Sequence, residues 1–137
     1  MQTIITTVVL VLSSFVLQAQ NTIKVKMLDF DNDKGHVLVG LYDTQEHFLD
    51  KAFMSRKATI ENNTATVTFT NVPDGVYAVS CFHDEDDNEK LNMFMGMMPT
   101  EDYGTSKNAP ANFGPPKWKD AKFEVKNGET KIFNIKL

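Results

Sequence analysis

The chain has 137 residues with 14 Lys+Arg against 18 Asp+Glu, a formal charge of −4, and one cysteine. That length supports one domain with a modest core and is too short for two. The mildly acidic balance argues against nucleic acid or an anionic membrane as partner, and a lone Cys81 excludes an internal disulfide.

Met1–Ala19 is apolar from Ile4 to Leu17 apart from short hydroxyl residues, and ends Leu17-Gln18-Ala19 before Gln20-Asn21. This is the layout of a secretory signal peptide cleaved near Ala19, although no basic residue precedes the apolar run. An uncleaved anchor is the alternative; the run is short for a bilayer span and no Lys or Arg follows closely. Residues 20–137 then form the folded domain, periplasmic or secreted, with no membrane span in the mature chain. An exported domain without disulfides relies on its core or on a bound ion.

In chain order, Thr22–Leu28 alternates, with Ile23, Val25 and Met27 on one face and Lys24 and Lys26 on the other, as a strand with one wet face does. Asp29–Gly35 is turn material, and His36–Tyr42 is apolar on both faces; the two strands are expected to form a hairpin. Thr44 is placed to cap a short helical turn carrying Glu46 and His47, with Phe48 and Phe53 as anchors. A short strand is expected at Ala58–Glu61 and a turn at Asn62-Asn63. Thr64–Phe69 follows, with Ala65, Val67 and Phe69 inward. Asn71–Gly75 is a tight turn leading into Val76–His83, a central strand in which Cys81 reads as a packing residue. Met93–Lys119 shows no lasting periodicity and is expected as one long loop, with Phe113 and Trp118 folded back over an open end. Ala121–Val125 and Lys131–Leu137 close the pattern around Asn127-Gly128, with Phe123, Val125, Phe133, Ile135 and Leu137 inward. About seven short strands and no long helix imply an all-β, antiparallel sandwich.

The chemistry concentrates in His83-Asp84-Glu85-Asp86-Asp87-Asn88-Glu89-Lys90-Leu91-Asn92. Asp84, Asp86 and Asn88 alternate as in a calcium loop, with the Lys90 carbonyl and Asn92 as further oxygen ligands and Glu101 or Asp102 to complete the shell. The spacing departs from an EF-hand loop: Glu89 stands at the glycine position and Met95 at the bidentate glutamate position. A solvated acidic turn is the alternative reading. Asp29-Asp31-Asp33 has similar spacing but lies where turn residues are expected anyway. His83 beside Asp84 invites a general-base reading, yet no nucleophile can be assigned to it; His36, His47 and His83 have no zinc spacing. Met95, Met97, Met98 and Tyr103 offer soft and aromatic side chains for a partner surface.

Taken in order, several segments resemble the bacterial DUF2141 family, small exported proteins of unknown function. They are Lys34-Gly35, Asn71–Val79, His83–Asn88 with Lys90-Leu91-Asn92, Gly96, Pro99–Gly104, Ser106, Asn108-Ala109 and Pro116–Phe123. The family pattern at the acidic loop is commonly HDENGNGKLD; here Asp86-Asp87 replace Asn-Gly, Glu89 replaces the second Gly and Asn92 the last Asp. The resemblance implies export and a β domain, with a turn at Gly75-Val76-Tyr77 similar to that of transthyretin-like sandwiches. It implies no activity. The leading functional reading is a non-enzymatic binding or accessory module, with an envelope or extracellular protein or glycan as partner and Ca²⁺ as its only candidate cofactor. A structural envelope domain without an ion site is the second reading, and an enzyme using His83 and Asp84 the weakest.

Overall fold

The computed structural model describes residues 20–137; the expected signal peptide, 1–19, lies outside the described residues. Ten strands are present: β1 (Asn21–Leu28), β2 (His36–Tyr42), β3 (Met54–Ala58), β4 (Ala65–Val72), β5 (Gly75–Asp84), β6 (Met93–Phe94), β7 (Met98–Pro99), β8 (Tyr103–Thr105), β9 (Phe123–Val125) and β10 (Thr130–Lys136). One sheet has the order β10-β1-β4; the other runs β3-β2-β5-β8, with β9 also paired to β5. The inner faces meet in a single core of Ile23, Val25, Met27, Val67, Phe69 and Ile135 from the first sheet and Val37, Val39, Leu41, Tyr77, Val79 and Cys81 from the second. The architecture is therefore sandwich-like, and the inward residues are those the alternation picks out.

Four expectations about the strands are corrected. Among the described residues the count is ten strands rather than about seven, because three strands of two or three residues lie inside the expected loop. β1 and β2 are not a hairpin: β1 pairs with β4 and β10, and β2 with β3 and β5, so Asp29–Gly35 crosses from one sheet to the other. The sheets are not wholly antiparallel, since β1 and β10 run parallel from Thr22↔Thr130 to Leu28↔Lys136. The short strand before Asn62 lies at Met54–Ala58 rather than Ala58–Glu61, paired to β2.

The Thr44 segment forms turns rather than helix. The Thr44 hydroxyl still accepts from the His47 N–H at 3.2 Å, as a cap would.

Met93–Lys119 is not one long loop. It contains the β6–β7 hairpin, β8, a 3₁₀ turn at Ser106–Asn108 and the start of a one-turn helix, α1 (Trp118–Ala121). Ser106 pins this region to the core: its hydroxyl donates to the Ala121 carbonyl at 2.7 Å and accepts from the Val79 N–H at 3.0 Å. Trp118 packs edge-on against Phe48, as expected of a covering residue, but Phe113 is fully exposed and covers nothing. At the Asn71–Gly75 turn, the Tyr77 hydroxyl donates to the Pro73 carbonyl at 2.8 Å and fixes the entry into β5.

The β1–β2 crossing is tied down by side chains. Both Asp33 carboxylate oxygens accept from the turn at Asn62-Asn63, at 3.0 and 2.8 Å, and the Asn63 amide donates to the Phe30 carbonyl at 2.7 Å. Phe30 is thereby held in the core. The Asp29-Asp31-Asp33 run thus has a structural use for Asp33, as an acceptor for turn N–H groups.

Candidate metal centre

Strand β5 delivers the acidic loop. The antiparallel register Phe82↔Tyr103 and Cys81↔Gly104, continued by the His83 N–H donating to the Asp102 carbonyl at 2.8 Å, sets His83 opposite Asp102 and Asp84 opposite Glu101. Opposed residues of such a pair share one face of the sheet. Side chains alternate along a strand, so His83 and Asp84 point to opposite sides.

On one side stand Asp84, Asp86 and Glu101, each offering a carboxylate oxygen within 4.8 Å of the other two. Asp84 is buried at 0% exposure and Glu101 at 6%. The loop folds around them. Asp84 accepts from the backbone N–H of Asn88 at 3.2 Å and of Glu89 at 2.9 Å. Glu101 accepts from the N–H of Glu85 at 3.2 Å and of Asn92 at 3.1 Å. The Asn92 side-chain amide donates to Asp86 at 2.8 Å and to Glu101 at 3.3 Å, bridging the two carboxylates. That amide, foremost, holds the Asp86 carboxyl below the usual carboxylate range.

Three carboxylates this close repel one another unless donors or a cation offset their charge. Among the described residues no Lys or Arg pairs with any of them; nearby, His36 Nδ1 hydrogen-bonds Asp87 at 2.6 Å and Lys57 pairs with Glu89 at 3.7 Å. The donor set is all oxygen. Two oxygens on opposite sides of a cation bound at about 2.4 Å lie about 4.8 Å apart, so the spread of the cluster suits one ion. The arrangement can chelate a divalent cation.

The structure brings Asp84, Asp86 and Asn92 together with Glu101. Asn88 reaches the cluster through its N–H, which contacts Asp86 at 3.3 Å as well as Asp84, and through its amide, which donates to Asn92 Oδ1 at 2.5 Å. Lys90 contributes an N–H to Asn88 Oδ1 at 2.9 Å. Asp102 lies on the other side of the sheet, away from this cluster.

Asp87 and Glu89 have φ of 54° and 61°. These are the two positions where the pattern HDENGNGKLD carries glycine. The loop keeps its left-handed backbone here without glycine's freedom, at about 1 kcal/mol or more per residue.

His83 is no exposed base. It has 0% exposure, lies edge-on to Phe30 and donates from Nε2 to the Lys34 carbonyl at 2.6 Å. Cys81 is also buried, and burial pushes its thiol up to about 12, so it is no nucleophile. Met95, Met97 and Met98 are exposed on the β6–β7 hairpin, whereas Tyr103 is half-buried in β8 and does not belong to the hairpin.

Residues 25–133 match the DUF2141 family, described as an uncharacterized protein conserved in bacteria. No curated protein and no solved structure matches the chain.

Proposed function

The chain belongs to the DUF2141 family of uncharacterized bacterial proteins, and from that premise we propose that it is an exported, non-enzymatic accessory module whose acidic loop takes up Ca²⁺. The observation that carries the reading is the triad of Asp84, Asp86 and Glu101, two of them buried, with no basic side chain paired to it among the described residues. An all-oxygen set favours a hard cation, and three carboxylates with Asn88, Asn92 and the Lys90 carbonyl offer enough oxygens for a six- to eight-coordinate ion. In this reading Asn92 turns its amide oxygen toward the ion. The burial of His83 and Cys81 is the support for a role without catalysis. Export rests on the Met1–Ala19 segment, and cleavage near Ala19 would deliver the domain to the periplasm or beyond. The exposed methionines at 95, 97 and 98 are the surface for an envelope protein or glycan.

Calorimetry and thermal melts of chelator-stripped protein against Ca²⁺ and Mg²⁺ test the reading. An ion at a hundred times its Kd stabilises the folded state by about 2.7 kcal/mol. Saturable binding that disappears in Asp86→Asn supports an ion-organised loop. No heat and no shift at millimolar ion leaves the second reading, a structural domain. The observation favouring that one is that backbone N–H groups already satisfy Asp84 and Glu101.

A further inference from the structure

The side of the sandwich where β10 and β9 come together carries a different chemistry. Residues 107–137 hold seven lysines against three carboxylates, in a chain of net charge −4. Lys107, Lys122 and Lys131 line a cleft of about 610 Å³ between β9 and β10, and none of the three is paired with a carboxylate among the described residues. The one acid in the lining, Glu124, pairs with Lys126 at 3.5 Å. Phe123 and Phe133 meet in the same lining with ring centroids 4.3 Å apart, and Ile132 is 62% exposed there. β9 pairs with the N-terminal end of β5, whereas the acidic loop leaves its C-terminal end, so cleft and loop lie at opposite ends of the fold.

β10 is the edge strand of its sheet, and half of its outer edge is free. Alternate residues of a strand turn their N–H and C=O to the same neighbour. The Glu129 carbonyl accepts from the Thr22 N–H and the Leu137 N–H donates to the Leu28 carbonyl, so odd-numbered residues bond β1 and even-numbered ones face outward. The outward Asn134 carbonyl and Lys136 N–H are taken by the Asn108 side-chain amide, at 3.2 and 3.0 Å, as a neighbouring strand would take them. The outward groups of Thr130 and Ile132 have no such partner among the described residues. Unpaired edge groups of this kind are a template for another strand.

We propose that this half-open edge docks an acidic, extended polypeptide segment, which adds beside Thr130–Phe133 as a further strand with its carboxylates near Lys107, Lys122 and Lys131. In strand addition main-chain bonds supply the affinity and side-chain contacts the choice of partner. Lysines at an edge deter pairing with a neutral or basic strand. For an acidic strand the same charges become an attraction, and they keep the edge from pairing with its own copy, which would bring lysines together. A small anion would leave Ile132 and the outward backbone groups unused; a strand with alternate apolar side chains uses both.

The test is the fluorescence anisotropy of a labelled, capped peptide of alternating glutamate and valine, titrated with the purified protein. Saturable binding that weakens with added salt is expected. Lys122→Glu, an exposed change outside the strands, is expected to weaken it about tenfold or more, roughly 1.4 kcal/mol. Ile132→Pro is expected to do the same: it removes an outward N–H and no bond to β1, and proline is tolerated at a strand edge on that side. A readout that needs no protein variant is the same peptide N-methylated at its amides, which keeps every charge and side chain but cannot donate; it is expected to lose binding to the same degree. In wild type the Ile132 amide is expected to exchange more slowly with the peptide bound. Asp86→Asn, at the other end of the fold, is expected to leave peptide binding unchanged, so this proposal and the calcium reading fail separately. No binding at millimolar peptide, equal binding of the N-methylated form, indifference to Lys122→Glu, or tighter binding of phosphatidylglycerol vesicles than of the peptide would each overturn the proposal.

Discussion

Gly35→Ala probes the joint on which both sides of β5 depend. Gly35 has φ of +62° and lies against the backbone where β5 becomes the acidic loop. A Cβ there would fall on the Asp84 carbonyl oxygen and come within 2.8 Å of the Glu85 carbonyl oxygen. The left-handed backbone costs alanine about 1 kcal/mol. Relieving the overlap means moving backbone on one side or the other, and overpacking of this kind costs about 1–3 kcal/mol. The sum is a loss of about 2–4 kcal/mol, which in urea lowers the midpoint by about 1–3 M for a domain of this size. Gly96→Ala is the control: its φ is +68° but nothing lies within 4 Å of the added carbon, so only the backbone contribution of about 1 kcal/mol remains. Equal losses in the two variants would refute the close packing of the β1–β2 crossing on β5.

Glu89→Gly relieves a left-handed residue and removes only an exposed pair to Lys57 at 3.7 Å, so it should stabilise by up to about 1 kcal/mol in a urea melt. Asp102→Asn should raise the urea midpoint of metal-free protein at neutral pH. Its carboxyl is raised in the fold, so ionised Asp102 opposes folding; the stability is present at low pH and lost as pH rises through the folded value, and the gain from Asn should vanish in acid. Asp86 has the opposite sign: its depressed carboxyl supports the fold above the unfolded value and stops doing so as pH falls through the folded one, a slope that Asp86→Asn should remove. Ser106→Ala leaves the buried Val79 N–H without its side-chain acceptor and should cost about 1–3 kcal/mol by the same melt. Cys81 should resist a thiol reagent in native buffer and react fully in denaturant; fast native labelling would contradict its burial.

Strand faces were legible because alternation is a local signal: Ile23, Val25 and Met27 are all buried, as are Ala65, Val67 and Phe69. Partners were not. The same alternation fits β1 whether it pairs with β2 or with β10, and seven turn-forming residues can either reverse a strand or cross between sheets. The strands within Met93–Lys119 are too short to show a period, and Ser106, which anchors them, looks like any loop serine until Val79 and Ala121 are placed beside it. Asp84 and Asp86 could be read from their spacing. Glu101 could be named only as a completing ligand, because its position follows from the register of β8 against β5. The contact that orients His83 left no trace in the sequence, since the carbonyl that accepts from its Nε2 is contributed by Lys34, forty-nine residues away.

The parallel pairing of β1 with β10 also sets the order of events in folding. β1 is the middle strand of its sheet, yet one of its neighbours comes last in the sequence. A chain emerging N-terminus first from a ribosome therefore holds Ile23, Val25 and Met27 half-covered until Thr130–Lys136 arrives to supply Ile135. Contacts that distant in sequence form slowly. The domain should lock only once its last strand is free, and until then the first strand is open to pairing with another chain's edge.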